Sequence, residues 1–196
     1  DEVKRFKQAG GGAIVEMTNK GINRDPKALA RISKATGIHV IMGSGYYLNP
    51  SHPADMDKKT EDEIAGEIVK DVTEGVDGTG IKAGMIGEIG CVWPLHPNEK
   101  KSLRAAAKAQ KLTGAPVNIH PGRKKGATFE LVDIFVSAGG DPSRMVMSHV
   151  DVRVRTHEER VRLAKSGCIL EYDNVGWEGP QPVTLNWDPE IDIPTD

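Results

Sequence analysis

Cysteine is scarce, with two residues in 196. Cys91 follows one expected strand and Cys168 precedes another, which in a parallel sheet sets them at opposite ends, roughly 17–20 Å apart for strands of five or six residues. A disulfide needs its Cα atoms within about 7 Å, so both thiols are expected to be free and the protein cytoplasmic, in a reducing compartment. An excess of charge of either sign is also missing: 26 basic residues stand against 28 acidic ones, for a formal net charge of -2. The densest positive stretches, Arg123-Lys124-Lys125 and Arg153 with Arg155, are short, which argues against nucleic acid as a partner. No apolar run approaches the roughly 20 residues that span a bilayer, and Asp1 to Gln8 is charged and helix-like where a signal peptide is apolar. No membrane partner is expected. The length suits one globular domain.

What the chain does hold is a short apolar run, Ala83-Gly84-Met85-Ile86-Gly87-Glu88-Ile89-Gly90, with one carboxylate near its C-terminal end. A strand of small apolar residues has no packing use for an acid, so Glu88 needs a charged partner, metal ions or a hydrogen-bond network. Two later runs end in a similar way, Pro116-Val117-Asn118-Ile119-His120 and Arg144-Met145-Val146-Met147-Ser148-His149. A carboxylate and two imidazoles, each closing a buried strand, can converge on a divalent metal.

Around these runs helices and strands alternate. A helix over Asp1 to Ala9 stops at Gly10-Gly11-Gly12 and leads to a strand from Ala13 to Thr18. Asp25 and Pro26 open a helix whose inner face carries Leu29 and Ile32. A strand from Ile38 to Met42 runs into Gly43-Ser44-Gly45-Tyr46-Tyr47. The proline-rich polar loop from Leu48 to Lys59 exceeds the usual two to six residues of such a connection and reads as functional. Thr60 with Glu63 is a capping box, opening a helix with the stripe Ile64, Ile68, Val69 and Val72. An alanine-rich helix after Pro97 stops at Gly114, and a helix with Phe129, Val132, Ile134 and Phe135 ends at Gly139-Gly140. A second capping box, Thr156 with Glu159, opens a helix that stops at Gly167. A last strand, Cys168 to Asp173, gives way to a tail without periodicity, from Gly176 to Asp196.

Six strands alternating with helices, several of them apolar throughout, indicate a parallel sheet. Thr18, Ser44, Glu88, His120, His149 and Asp173 fall at the C-terminal ends of different strands. A (β/α)8 barrel gathers such groups at one mouth, whereas an open doubly wound sheet spreads them along an edge. The expectation is therefore a single TIM-type barrel domain over residues 1–196, in which about six of the eight βα units are present and both ends are cut.

Gly80-Ile81-Lys82-Ala83-Gly84-Met85-Ile86-Gly87-Glu88-Ile89-Gly90, Asn118-Ile119-His120-Pro121-Gly122-Arg123 and Met147-Ser148-His149 resemble the phosphotriesterase-related proteins of the amidohydrolase superfamily. Gly21 to Pro26, Gly43 to Tyr47 and Gly167 to Asp173 extend the similarity over nearly the whole chain. The resemblance implies a hydrolase with two divalent metal ions, taken as zinc, in the mouth of the barrel, and a metal-bound hydroxide that attacks an ester or amide bond. Glu88 would then bridge the two metals, and His120 and His149 would bind the second. Zinc accepts both imidazole and carboxylate, and two ions sharing a bridge can hold hydroxide at neutral pH. Two pieces that the resemblance requires are missing: no His-x-His pair occurs in the sequence, and no eighth strand with its aspartate base follows Asp173. Lys82 lies at the start of its strand and cannot serve as a carboxylated bridge.

Around that centre Tyr47, in a glycine-rich turn, can direct its phenol at a substrate carbonyl or leaving group, as the matching aromatic does in lactone-hydrolysing relatives; a packing role is equally open. Arg123 can hold an anionic group of the substrate by two parallel hydrogen bonds, or belong to a solvated loop with Lys124 and Lys125. Asp173 is a candidate catalytic residue that orients a ligand imidazole. Trp93 is read as a pocket wall or a lid hinge. Arg24 and Asp25 are read as pinning a helix, and His39, His52, His96 and His157 as structural. The functional expectation is a metal-dependent hydrolase of an amide or carboxylic ester, with a small molecule as partner and a homodimer left open. The alternatives are a lactonase or phosphotriesterase on the same centre, and an inactive partial barrel acting as a binding module.

Overall fold

The computed structural model describes residues 1–174. Six parallel strands pair in sequence order: β1 (Ala13–Glu16), β2 (His39–Ser44), β3 (Met85–Cys91), β4 (Val117–Pro121), β5 (Met145–Met147) and β6 (Ile169–Leu170). Each strand lies beside the next one along the chain, with no reversal of order. That is the topology of a (β/α)8 barrel rather than of a doubly wound sheet, and the six units form a curled part of one.

The helices begin and end where the sequence places their caps. After α1 (Glu2–Gln8), the helix α2 (Pro26–Thr36) starts with the Asp25 carboxylate accepting from the Ala28 amide at 2.9 Å. Thr60 and Glu63 cap each other's backbone at the start of α3 (Glu61–Thr73). The helix α4 (Pro97–Thr113) closes on Gly114, whose φ of 73° is the left-handed conformation that glycine adopts freely. Then come α5 (Ala127–Ser137), a single turn α6 (Val150–Arg153), and α7 (His157–Lys165), which opens on the Thr156–Glu159 capping box.

The core lies between β3 and the two helices that cover it. Ile86 and Ile89 of β3 are fully buried, against a layer that includes Ile64 and Ile68 of α3 and Leu103 of α4. Ala105, Ala106, Ala107 and Ala109 are all fully buried, and their small side chains let α4 lie close to the sheet. The β3–β4 register shifts between Ile86 and Ile89. There Gly87 has φ 121°, and a Cβ at this position would sit 2.3 Å from the Asn118 carbonyl oxygen. Such an irregularity re-aims the neighbouring side chain, here Glu88.

Three strands are shorter than the apolar runs predict, and polar side chains at their ends form hydrogen bonds of their own. The first run stops at Glu16, whose carboxylate accepts from the amide and hydroxyl of Thr18. β5 ends at Met147: buried Ser148 donates to Asn118 Oδ1 at 2.9 Å or Glu171 Oε2 at 2.6 Å, and His149 turns the chain with φ 58°. β6 is two residues long; beyond it the Glu171 amide still donates to the Met147 carbonyl at 2.9 Å, and the Glu171 side chain binds Ser148 and accepts from Asn118 Nδ2 at 2.8 Å. The tail from Gly176 to Asp196 lies outside the described residues. Cys91 and Cys168 are both free and buried, and no described helix is long and apolar enough to cross a membrane.

Candidate metal centre

The chain ends of β3, β4 and β5 bring three ligand-type side chains to one point. Glu88 Oε1 lies 2.8 Å from His120 Nδ1 and 2.9 Å from His149 Nε2, and the two imidazole nitrogens are 2.9 Å apart. All three groups are half-buried, and one donor atom from each lies within 4.8 Å of the others, so that they can hold a metal ion. Two imidazoles and a carboxylate are a donor set that suits zinc and similar divalent ions.

The tripod is braced from behind. Asp173 Oδ2 lies 2.7 Å from His149 Nδ1, which leaves Nε2 facing Glu88. Asn19, fully buried, donates from Nδ2 to the Glu88 carbonyl at 2.8 Å. Two residues before His120, on the same face of β4, Asn118 forms a lower layer with Ser148 and Glu171.

Charge is concentrated here. Burial raises the Glu88 pKa, but hydrogen bonds from His120 and His149 outweigh it and hold the carboxyl at about 2. Burial lowers the His149 pKa, but the Asp173 and Glu88 carboxylates outweigh it and push the imidazole up to about 9. A site that stabilises positive charge between two imidazoles and a carboxylate in this way suits a cation.

Tyr47 joins the same cluster, with its hydroxyl 3.4 Å from His120 Nδ1 and its ring edge-on to the imidazole at 5.1 Å. Burial, helped by the charge of Glu88, raises its pKa to about 12, so the phenol stays protonated. His52 braces this turn through its Nε2, 2.8 Å from the Tyr47 carbonyl. Trp93 stands further along the loop after β3, with the Lys124 ammonium 5.4 Å from its ring. Arg123 follows the His120 strand and lines a cavity between the loop after β4 and the loop that joins α6 to α7.

Two residues at strand ends stay out of the cluster. Ser44 turns to the helix layer and donates to Asp71 at 2.9 Å, beside Arg24 on the same carboxylate at 2.8 Å. Thr18 bonds back to Glu16. Sequence reasoning also missed Glu99, fully buried in the first turn of α4, where it accepts from the amides of Asn49 and Val92 at 2.9 and 2.8 Å. It ties the long loop after β2 to the loop after β3. An acid in the first turn of a helix is too ordinary a signal to reveal that. Arg153, one turn past His149, was legible only as part of a short basic patch.

Six parallel βα units with two imidazoles and a carboxylate gathered at the C-terminal ends of their strands define part of a barrel with a candidate metal site. The chain belongs to the phosphotriesterase family, whose model matches residues 1–189. It is 42% identical, over its whole length, to N-acetyltaurine hydrolase of Bos taurus and covers 55% of that protein. It is 48% identical, over 90% of its length, to a phosphotriesterase-related protein of Nematostella vectensis, of which it covers 51%. The chain thus spans about half the length of these relatives. Among solved structures, a resiniferatoxin-binding protein from Rhodobacter sphaeroides matches 89% of this chain with a TM-score of 0.86 at 40% identity, over 49% of its own chain. A phosphotriesterase homology protein from Escherichia coli matches 90% with a TM-score of 0.84 at 29% identity, over 60% of its own chain.

Proposed function

We propose that the full-length protein is a metal-dependent hydrolase that cleaves an amide or carboxylic ester bond of a small molecule, with N-acylated amino acids and aminosulfonates as the first compounds to try. The observation that carries the reading is the convergence of Glu88, His120 and His149 on one point. The two relatives' names support the hydrolase class, and the N-acetyltaurine hydrolase supports the amide. Glu88, His120 and His149 would hold zinc, with Glu88 the bridge to a second ion. The remaining ligands of a binuclear site, a His-x-His pair and an aspartate, are assigned to the lengths of barrel that the relatives have beyond this chain. When bound, the metal supplies Lewis acidity and lowers the pKa of water.

This chain's own residues do the rest. Asp173 keeps the proton of His149 on Nδ1 and its Nε2 free for a ligand role. The Tyr47 phenol, protonated at neutral pH, donates to the carbonyl or leaving-group oxygen of the substrate. Arg123 and Trp93 line the approach, the first for an anionic group and the second as a wall. Two free, buried thiols support a reducing, cytoplasmic compartment.

The test is chelation of the full-length protein followed by zinc, with activity and metal content measured together. Activity that disappears and returns with stoichiometric zinc supports the reading, and activity indifferent to chelation overturns it. A protein that takes up no metal would instead be a binding module. A second reading, a lactonase on the same centre, is favoured by the hydroxyl of Tyr47 next to His120; a panel of lactones, triesters and amides separates the two.

A further inference from the structure

The long loop from Leu48 to Lys59 is clamped to the start of α4. Asn98 Nδ2 donates to Asp57 Oδ1 at 2.6 Å, and the Lys101 ammonium donates to the carbonyls of Met56 and Lys59 at 2.7 and 2.8 Å. Between these two stands Glu99, a carboxylate that is 0% exposed. Burying a charge without partners is costly, and Glu99 finds its partners in backbone amides from two different loops. Its Oε1 accepts from Asn49, two residues after Tyr47, at 2.9 Å, and its Oε2 accepts from Val92, four residues after Glu88, at 2.8 Å. An acid that served only the helix dipole could do so from the exposed side of the first turn. The reach of Glu99 into both loops is therefore a separate feature.

These restraints meet at Tyr47. Its peptide rests on Gly90, between Glu88 and Val92: a Cβ there would lie 2.4 Å from the Tyr47 carbonyl carbon and 2.6 Å from its oxygen, so the turn lies directly on bare strand backbone. The Gly90 amide donates to the Tyr46 carbonyl at 3.3 Å, and His52 Nε2 donates to the Tyr47 carbonyl at 2.8 Å. Burial lowers the His52 pKa from its ordinary 6.5, so at neutral pH the ring is uncharged and carries its proton on the nitrogen that donates. The phenol meets His120 at 3.4 Å, too long a contact to place the ring by itself. The position of the hydroxyl is inherited from the backbone of the turn.

We propose that Glu99 is a positioning residue for the reaction: by joining Asn49 to Val92 it holds the Tyr47 turn against the end of β3 and sets the phenol beside His120, with His52 as the second support. The proposal rests on the hydrolase reading for its effect on turnover, and on the geometry of the two loops for its effect on Tyr47. E99Q is the discriminating change. It keeps the volume but puts a donor where one of the two acceptor oxygens stood, so one backbone amide loses its partner.

Two measurements on the full-length protein test this. In the first, E99Q should lower kcat about three- to tenfold with KM changed less than about twofold and zinc content retained. The same substitution made in Y47F protein should cost less than about twofold, because the group it acts through is already gone. A kcat unchanged in E99Q, or losses that multiply in E99Q/Y47F, overturns the proposal; a purely structural Glu99 would lower the melting temperature and leave kcat alone. The second measurement follows 3-fluorotyrosine-labelled protein by 19F NMR, with the Tyr47 resonance assigned by its absence in Y47F. E99Q should shift and narrow that resonance, and a signal identical to that of the unaltered protein overturns the proposal. Should no amide or ester be turned over, the hydrolase reading fails while the fluorine signal still decides whether Glu99 positions Tyr47. Should E99Q not fold, H52L and H52Q take its place: H52L removes the donor to the Tyr47 carbonyl and should shift the same resonance, H52Q keeps a donor and should restore it, and a resonance unchanged in H52L overturns the proposal.

Discussion

Asp173 stands behind His149, its Oδ2 2.7 Å from the imidazole Nδ1, while its other oxygen accepts from Asn174 Nδ2 at 2.7 Å. The imidazole is thereby fixed in orientation, with Nε2 turned to Glu88 at 2.9 Å. The backbone of Asn174 is tied in turn to Asp151 at 2.7 Å, so the turn that begins at His149 and the end of β6 are joined.

Removing that brace should weaken metal binding without abolishing it. Asp173→Asn is expected to lower zinc affinity about ten- to a hundredfold. Competition with a fluorescent chelator measures it, and an affinity equal to that of the unaltered protein would show that the contact is incidental.

Metal-stripped protein should have a stability maximum on the acid side of neutrality. Glu88 has a folded pKa of about 2 against an ordinary 4.5, so its contribution is present above 4.5 and lost as pH falls towards 2. His149 has a folded pKa of about 9 against an ordinary 6.5, so its contribution is present below 6.5 and lost as pH rises through 9. A bound metal requires neutral imidazole, so zinc should remove the alkaline decline. Melting temperatures across pH, with and without zinc, check this; an alkaline limb identical in both would contradict it.

Asp71 holds Arg24, whose side chain is 3% exposed, together with Ser44. Asp71→Ala should cost about 3 kcal/mol in urea denaturation, because a buried guanidinium loses its main partner. Asp77, 3.6 Å away and largely exposed, offers only partial compensation.

Two glycines should respond in opposite directions. Gly87→Ala forces a side chain into φ 121° and 2.3 Å from the Asn118 carbonyl, which should cost about 2–4 kcal/mol and displace Glu88. Gly66, inside α3 with open space around it, should gain about 0.5–1 kcal/mol on replacement by alanine. Chemical denaturation of both variants, with zinc uptake of the first, reads out the difference.

Tyr47→Phe removes the hydroxyl 3.4 Å from His120. If the phenol donates to the reacting oxygen, kcat should fall about five- to tenfold. Because burial holds its pKa at about 12, the phenol itself should add no inflection to the pH–rate profile near neutrality. A larger loss on lactones than on amides would favour the lactonase reading.

Much of this fold is written locally. Asp25 with Pro26, and the capping boxes at Thr60 and Thr156, begin helices through hydrogen bonds that close within three residues, so they are legible without any tertiary knowledge. The meeting of Glu88, His120 and His149 was legible because each closes an apolar run where burial without a partner is costly. The Arg24–Asp71–Ser44 cluster and the Glu99 staple were not, since Arg24 and Ser44 lie 47 and 27 residues from Asp71, Asn49 lies 50 from Glu99, and each residue type is commonplace on a surface.

The sequence by itself determined the alternation of helix and strand, the chemistry gathered at the strand ends and the kinship with the phosphotriesterase family. Only the tertiary structure decided that β5 stops short and His149 turns in at φ 58°, that Glu88 is aimed by a bulge, and that Glu99 reaches two loops at once. Caps and hydrophobic periods are settled between neighbours along the chain. The direction of a side chain at a strand end depends on which other strands lie beside it, and that is settled only when the sheet closes.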